Sequence, residues 1–137
     1  MYRLLSLIII FVGCSNPIAT HDSCHGCGGE IESTLPKVNG IHQLYLDTTR
    51  VQTFTMLTWE TNCGWSQRIQ WDTDYQYRIG TDYVSLNNPA SMTDEDGIGR
   101  IIVGVWQDFK GMTITCYGGF TDSCGDHHLD SLKIQVN

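Results

Sequence analysis

Four of the five histidines in this chain sit close to cysteines. "HDSCHGC" sets His21 and His25 around Cys24 and Cys27, and "CGDHH" sets His127 and His128 just after Cys124. Thiolate and imidazole are the ordinary ligands of tetrahedral zinc, and Cys24, Cys27, Cys124 and His127 make one such set. The same sulfurs can instead oxidise in pairs. Gly28 follows Cys27 where a covalent haem attachment needs a histidine, which removes that reading of the CxxC. A redox-active CxxC normally opens a helix, whose dipole lowers the thiol pKa, whereas this one lies in glycine-rich sequence.

The choice between metal and disulfide depends on the compartment, and the first residues speak to it. Leu4 to Val12 is apolar behind a single charge at Arg3. A helix spanning the bilayer core needs about 20 apolar residues, so this run is too short to cross. It suits the apolar region of a secretory signal peptide. The run ends in "FVGC", which resembles the lipobox of bacterial lipoproteins, with Phe11 where leucine is usual. That resemblance implies a signal peptide over 1–13, a diacylglycerol on Cys14 and, with Ser15 next, delivery to the outer membrane.

An exported chain meets an oxidising environment, so disulfides are expected in preference to zinc. With Cys14 given to lipid, Cys24, Cys27, Cys63, Cys116 and Cys124 remain, and an odd count leaves one thiol over. The expected bridge is Cys116–Cys124, which would pin a loop onto the sheet. Cys24 and Cys27 could close on each other, and Cys63 could instead take a tether cysteine.

Other chemistry finds little support. "DHHLDS" holds Asp126, His127, Asp130 and Ser131, the letters of a hydrolytic triad, but triads are assembled from separated segments. Asp94, Glu95 and Asp96 in "TDEDG" lack the ligand spacing of a calcium loop. No nucleophile elbow, zinc-protease helix or phosphate-binding loop occurs. Neither a catalytic residue nor a cofactor is expected. The net charge of -7, with scattered single Lys and Arg, gives no footprint for nucleic acid.

What must position these residues is a set of strands. Residues 14–40 read as a lipidated cysteine and a Cys/Gly-rich tether, and residues 41–137 read as the folded domain. "VQTFTMLTWE" alternates, with Leu57 and Trp59 on one face and Phe54 and Met56 on the other. "WSQRIQW" puts Trp65, Ile69 and Trp71 inward, and "DYQYRI" repeats the rule with Tyr75, Tyr77 and Ile79. "RIIVGVW" is continuously apolar, as in a strand covered on both sides. "GMTITCY" and "SLKIQV" complete seven to eight short strands with no helical spacing between them. The pattern predicts an all-β antiparallel sandwich of immunoglobulin-like type.

In the order "TWETNCGWS", "YVSLNNPASMTDEDGIG", "RIIVGVW" and "LKIQV", the chain resembles BACON domains over roughly residues 41 to 137. These are bacterial immunoglobulin-like sandwiches of exported proteins. The resemblance implies a spacer or carbohydrate-binding role, and "CYGGFTDSCGDHHLD" is longer than the hairpin that family has there.

Function is therefore expected from surface contact. Trp106, Phe109, Tyr117 and Phe120 fall near predicted loop ends, where they could form one apolar patch. The expected role is that of a non-enzymatic accessory subunit or spacer bound to other envelope or outer-membrane proteins. Glycan binding is the alternative, and a zinc-stabilised envelope protein a minor one.

Overall fold

The computed structural model describes residues 27–63, 66–75 and 84–137. The signal peptide, Cys14, Cys24, Trp65, Tyr77 and Ile79 lie outside the described residues.

Ten strands form two facing sheets, with one short 3-10 turn, Gln107–Phe109, among the described residues. In chain order they are β1 (Gly29–Ser33), β2 (Lys37–Val38), β3 (Ile41–Leu44), β4 (Gln52–Thr61), β5 (Arg68–Thr73), β6 (Ser85–Leu86), β7 (Ala90–Met92), β8 (Ile98–Trp106), β9 (Thr113–Thr121) and β10 (His127–Val136). The first sheet runs β1-β4-β8-β6 and the second β2-β3-β10-β9-β5-β7. All pairings are antiparallel except β10 with β3. The all-β sandwich read from the alternation is the fold observed.

Period-2 burial builds the core between the sheets. Leu57 and Trp59 of β4, with Ile101, Val103 and Val105 of β8, face Ile69 of β5, Ile114 of β9 and Ile134 of β10, and each is at most 1% exposed. Burying side chains of this size stabilises by about 1.5–3 kcal/mol each. Gly118 of β9 makes room for the two largest: a Cβ there would stand 3.0 Å from Trp59 and 3.2 Å from Trp71. The Phe120 ring meets Trp59 edge-on at 5.9 Å.

Four expectations need correction. The tether does not extend to residue 40, because β1 pairs with β4 and buries Ile31. β2 then pairs with β3 through a turn whose Asn39 and Gly40 both have positive φ, as an Asn-Gly hairpin requires. "CYGGFTDSCGDHHLD" is mostly strand, belonging to β9 and β10 on either side of a short connection at 122–126. "RIIVGVW" is covered on one side only, since Ile102 is 43% exposed. Tyr75 lies in a turn after β5 and stacks edge-on against Phe109.

Candidate functional sites

At one end of the sandwich, β1 and β4 run antiparallel with Gly29 opposite Thr61. Continuing that register by two residues sets Cys27 opposite Cys63, and the two are joined as a disulfide with Cα atoms 4.9 Å apart. The surrounding backbone is tied as well. Thr61 Oγ1 donates to the Gly28 carbonyl at 2.6 Å, and the Gly28 N–H donates to Asn62 Oδ1 at 2.7 Å. The pairing of Cys63 with a tether-side cysteine is thus observed.

The Cys116–Cys124 bridge is not. Cys116 is a free thiol, 1% exposed, while Cys124 is itself disulfide-bonded. Geometry explains it. From Cys116 the strand runs on to Thr121, about 17 Å at the rise of a β-strand, before the loop that holds Cys124 begins. A disulfide needs Cα atoms within about 7 Å. Burial pushes the Cys116 thiol pKa up to about 12.

Beside the Cys27–Cys63 bridge a buried carboxylate pairs with a half-buried imidazole. Asp122 Oδ1 accepts the N–H groups of Cys124 at 2.8 Å and Asp126 at 3.0 Å, fixing the β9–β10 connection. Its Oδ2 lies 2.8 Å from His128 Nε2, with side-chain exposures of 16% for His128 and 3% for Asp122. The His128 hydrogen bond holds the Asp122 carboxyl below its ordinary pKa, against the opposing pull of burial, and the two N–H donors act in the same direction. The imidazole stacks on Phe120 at 4.8 Å. Cys27 Sγ lies 3.5 Å from Asp122 Oδ2 and 3.8 Å from His128 Nε2.

Of the alternative zinc set, Cys24 lies outside the described residues, and Cys27, Cys124 and His127 do not offer free ligands together in this disulfide-bonded form. Cys27 and Cys124 are both oxidised, and His127 points out of the sheet, its Nδ1 2.8 Å from Thr121 Oγ1. Adjacent residues of a strand face opposite sides, so it is His128 that turns toward the cysteines. A signal for this was present, since stepping back by twos from the apolar Ile134 and Leu132 reaches Asp130 and His128. Asp130 accepts the Ile31 N–H at 2.7 Å and links the two sheets, whereas Ser131 is exposed. Asp94 is occupied within its own turn, accepting the Asp96 and Ile98 N–H groups and the Arg100 guanidinium.

The four aromatic candidates do not form one patch. Phe109 and Phe120 are 5% and 4% exposed and lie beyond or near opposite ends of β9. Trp106 is half-buried on the first sheet, and Tyr117 is exposed on the second. What the alternation missed is how much apolar surface stays outside. On the solvent side of the first sheet, Phe54 is 56% exposed, Met56 47% and Ile102 43%, with Ile102 directly opposite Met56. Exposed Glu30, Glu32 and Glu60 edge this row.

On the second sheet the solvent side forms an open trough of ≈ 620 Å³. Gly119 is its floor, between Leu129 of β10 and Gln70 of β5, and Arg68, Asp72 and His127 stand around it. The Tyr117 hydroxyl donates to Asp74 Oδ1 at 2.9 Å, which holds the ring beside the trough.

No known family model matches the sequence. No curated protein matches it either. Among solved structures, it is similar to a family 123 glycoside hydrolase from Clostridium perfringens, described for glycolipid glycan hydrolysis. The TM-score is 0.44 and the identity 9%, over 80% of this chain and 27% of that one. The chain therefore spans about a quarter of that enzyme's length.

Proposed function

We propose that this protein is a lipid-anchored outer-membrane protein without enzymatic activity, serving an envelope complex as accessory subunit or spacer. The observation that carries the reading is the exposed row of Phe54, Met56 and Ile102 on the solvent side of the first sheet. Scattered exposed apolar residues need no explanation, but a contiguous row on one sheet face marks a contact surface. Its acidic edge of Glu30, Glu32 and Glu60 favours a protein partner that offers an apolar strip flanked by basic residues. The anchor rests on the likeness of "FVGC" to a lipobox, and the BACON resemblance, which implies a spacer or carbohydrate-binding role, agrees with the spacer reading.

The test is co-purification from detergent-solubilised membranes with wild type and with a Phe54→Glu, Ile102→Glu double variant. A partner held by the wild type should be lost from the double variant. Equal capture by both would overturn the assignment of this face.

A second reading is favoured by the trough on the other sheet. Tyr117 offers an exposed ring, and Arg68, Gln70, Asp72 and His127 offer hydrogen-bonding groups of the kind that take sugar hydroxyls. Glycan-array binding abolished by Tyr117→Ala would establish it.

A further inference from the structure

We propose that reduction of the Cys27–Cys63 bond creates a zinc site in which Cys27, Cys63, His128 and Asp122 are the four ligands. Cys27 Sγ, Cys63 Sγ and a His128 ring nitrogen already lie within 4.8 Å of one another, whereas Asp122 does not come within that span of all three and its carboxylate must shift to complete the set. With zinc bonds of about 2.3 Å to sulfur and about 2.0–2.1 Å to nitrogen and oxygen, tetrahedral geometry sets ligand separations. Sulfur-to-nitrogen and sulfur-to-oxygen pairs fall at about 3.5 Å, and nitrogen-to-oxygen at about 3.3 Å. The observed values are 3.8 Å from Cys27 Sγ to His128 Nε2 and 3.5 Å from Cys27 Sγ to Asp122 Oδ2. The 2.8 Å from His128 Nε2 to Asp122 Oδ2 needs to open by about half an ångström. The two sulfurs part once their bond is broken.

The arrangement converges on a point and is not strung out in series. A cysteine activated by a histidine uses one ring nitrogen for the thiol and the other for the orienting carboxylate. Here Cys27 and Asp122 both address Nε2, so no proton can be relayed through the ring. Several donors facing one small volume is instead the arrangement of a coordination site.

Its supports are independent of the metal. The β1–β4 register holds the two cysteines opposite each other. Stacking on Phe120 fixes the plane of the imidazole. Hydrogen bonds from Cys124 and Asp126 occupy Oδ1 of Asp122 and leave Oδ2 facing Cys27 Sγ. Such outer contacts orient metal ligands. Two thiolates, an imidazole and one carboxylate oxygen select zinc over calcium or magnesium, which take all-oxygen sets.

The redox step balances with a dithiol as reductant. The dithiol gives two electrons and two protons, becomes a disulfide itself, and leaves Cys27 and Cys63 as thiols. Zinc then displaces both thiol protons. This end of the sandwich is thereby cross-linked in either state, by a covalent bond when oxidised and by the metal when reduced.

Cobalt(II) titration of the full chain, reduced and kept anaerobic, tests the proposal. One equivalent should produce thiolate-to-cobalt charge-transfer absorption with tetrahedral d–d bands, displaced by zinc, while the oxidised chain shows neither. His128→Gln and Asp122→Asn should each weaken binding by about tenfold or more. Asp122→Asn keeps an oxygen for the Cys124 and Asp126 N–H groups, so its connection stays folded if His128→Gln proves unstable. His127→Gln should bind as wild type does. Absence of the sulfur band in the reduced chain would overturn the site. So would binding that ignores both the His128 and Asp122 changes, or that falls equally with His127→Gln.

Discussion

On the solvent side of the four-stranded sheet stand Phe54, Met56 and Ile102, and on that of the six-stranded sheet stand Arg68, Gln70 and Asp72. Both sets are placed by the same period-2 rule, and both back onto the same core. Strand β5 obeys the rule in the ordinary way, alternating buried Ile69 and Trp71 with exposed polar residues. Strands β4 and β8 bury Trp59 and Val103 and also leave large apolar groups outside. The six-stranded sheet also leaves Tyr117, Leu129 and Met92 outside, but these stand among Arg68, Gln70 and Asp72, so the difference is an apolar row on one sheet against a mixed polar and apolar surface on the other.

The comparison is broken most forcefully within a single strand. Trp59→Ala removes a fully buried indole that packs on Phe120, and should cost about 3–5 kcal/mol. Phe54→Ser, five residues away on the outer side, should stay within about 0.5 kcal/mol. Urea titrations of both variants decide it, and a Phe54→Ser loss approaching that of Trp59→Ala would mean the outer row is structural.

The staple comes next. The Cys27–Cys63 bridge closes a segment of sequence separation 36, for which loop-closure entropy gives about 4 kcal/mol. A Cys27→Ser, Cys63→Ser double variant should lose up to that amount in equilibrium unfolding. No change in midpoint would show that the β1–β4 register holds this end unaided.

A smaller effect is expected from acid. The Asp122 carboxyl is held below the ordinary aspartate value of about 3.9, so its pairing contributes fully above that pH. The contribution is lost as pH falls through the lowered folded-state value, because the unfolded state then binds the proton first. Melting temperature should therefore drop less between about pH 5 and pH 3 in Asp122→Asn than in wild type. Parallel acid limbs would remove the pair from the account of this end.

Much of the architecture was legible in the sequence, because buried and exposed residues alternate cleanly in β4 and β5. β1 was not legible. Only Ile31 of "GEIES" is buried, and its glycine and two outward glutamates look like a linker. Gly118 and Gly119 are strand residues: one admits Trp59 and Trp71, and the other is overlain by Leu129. The cysteine pairing depends on which strands lie side by side, and the composition of a segment does not determine that. Phe109 and Phe120 were assigned to a surface because they sit near strand ends, yet both rings turn into the core.

The central claim is that the outer face of the first sheet meets a protein. Its most direct test is photo-cross-linking in intact cells, with a benzophenone-bearing phenylalanine analogue placed at position 56 or, in a separate variant, at position 70. The account predicts a discrete protein adduct from position 56 and none from position 70. An adduct from position 70 alone, or none from either, would contradict it.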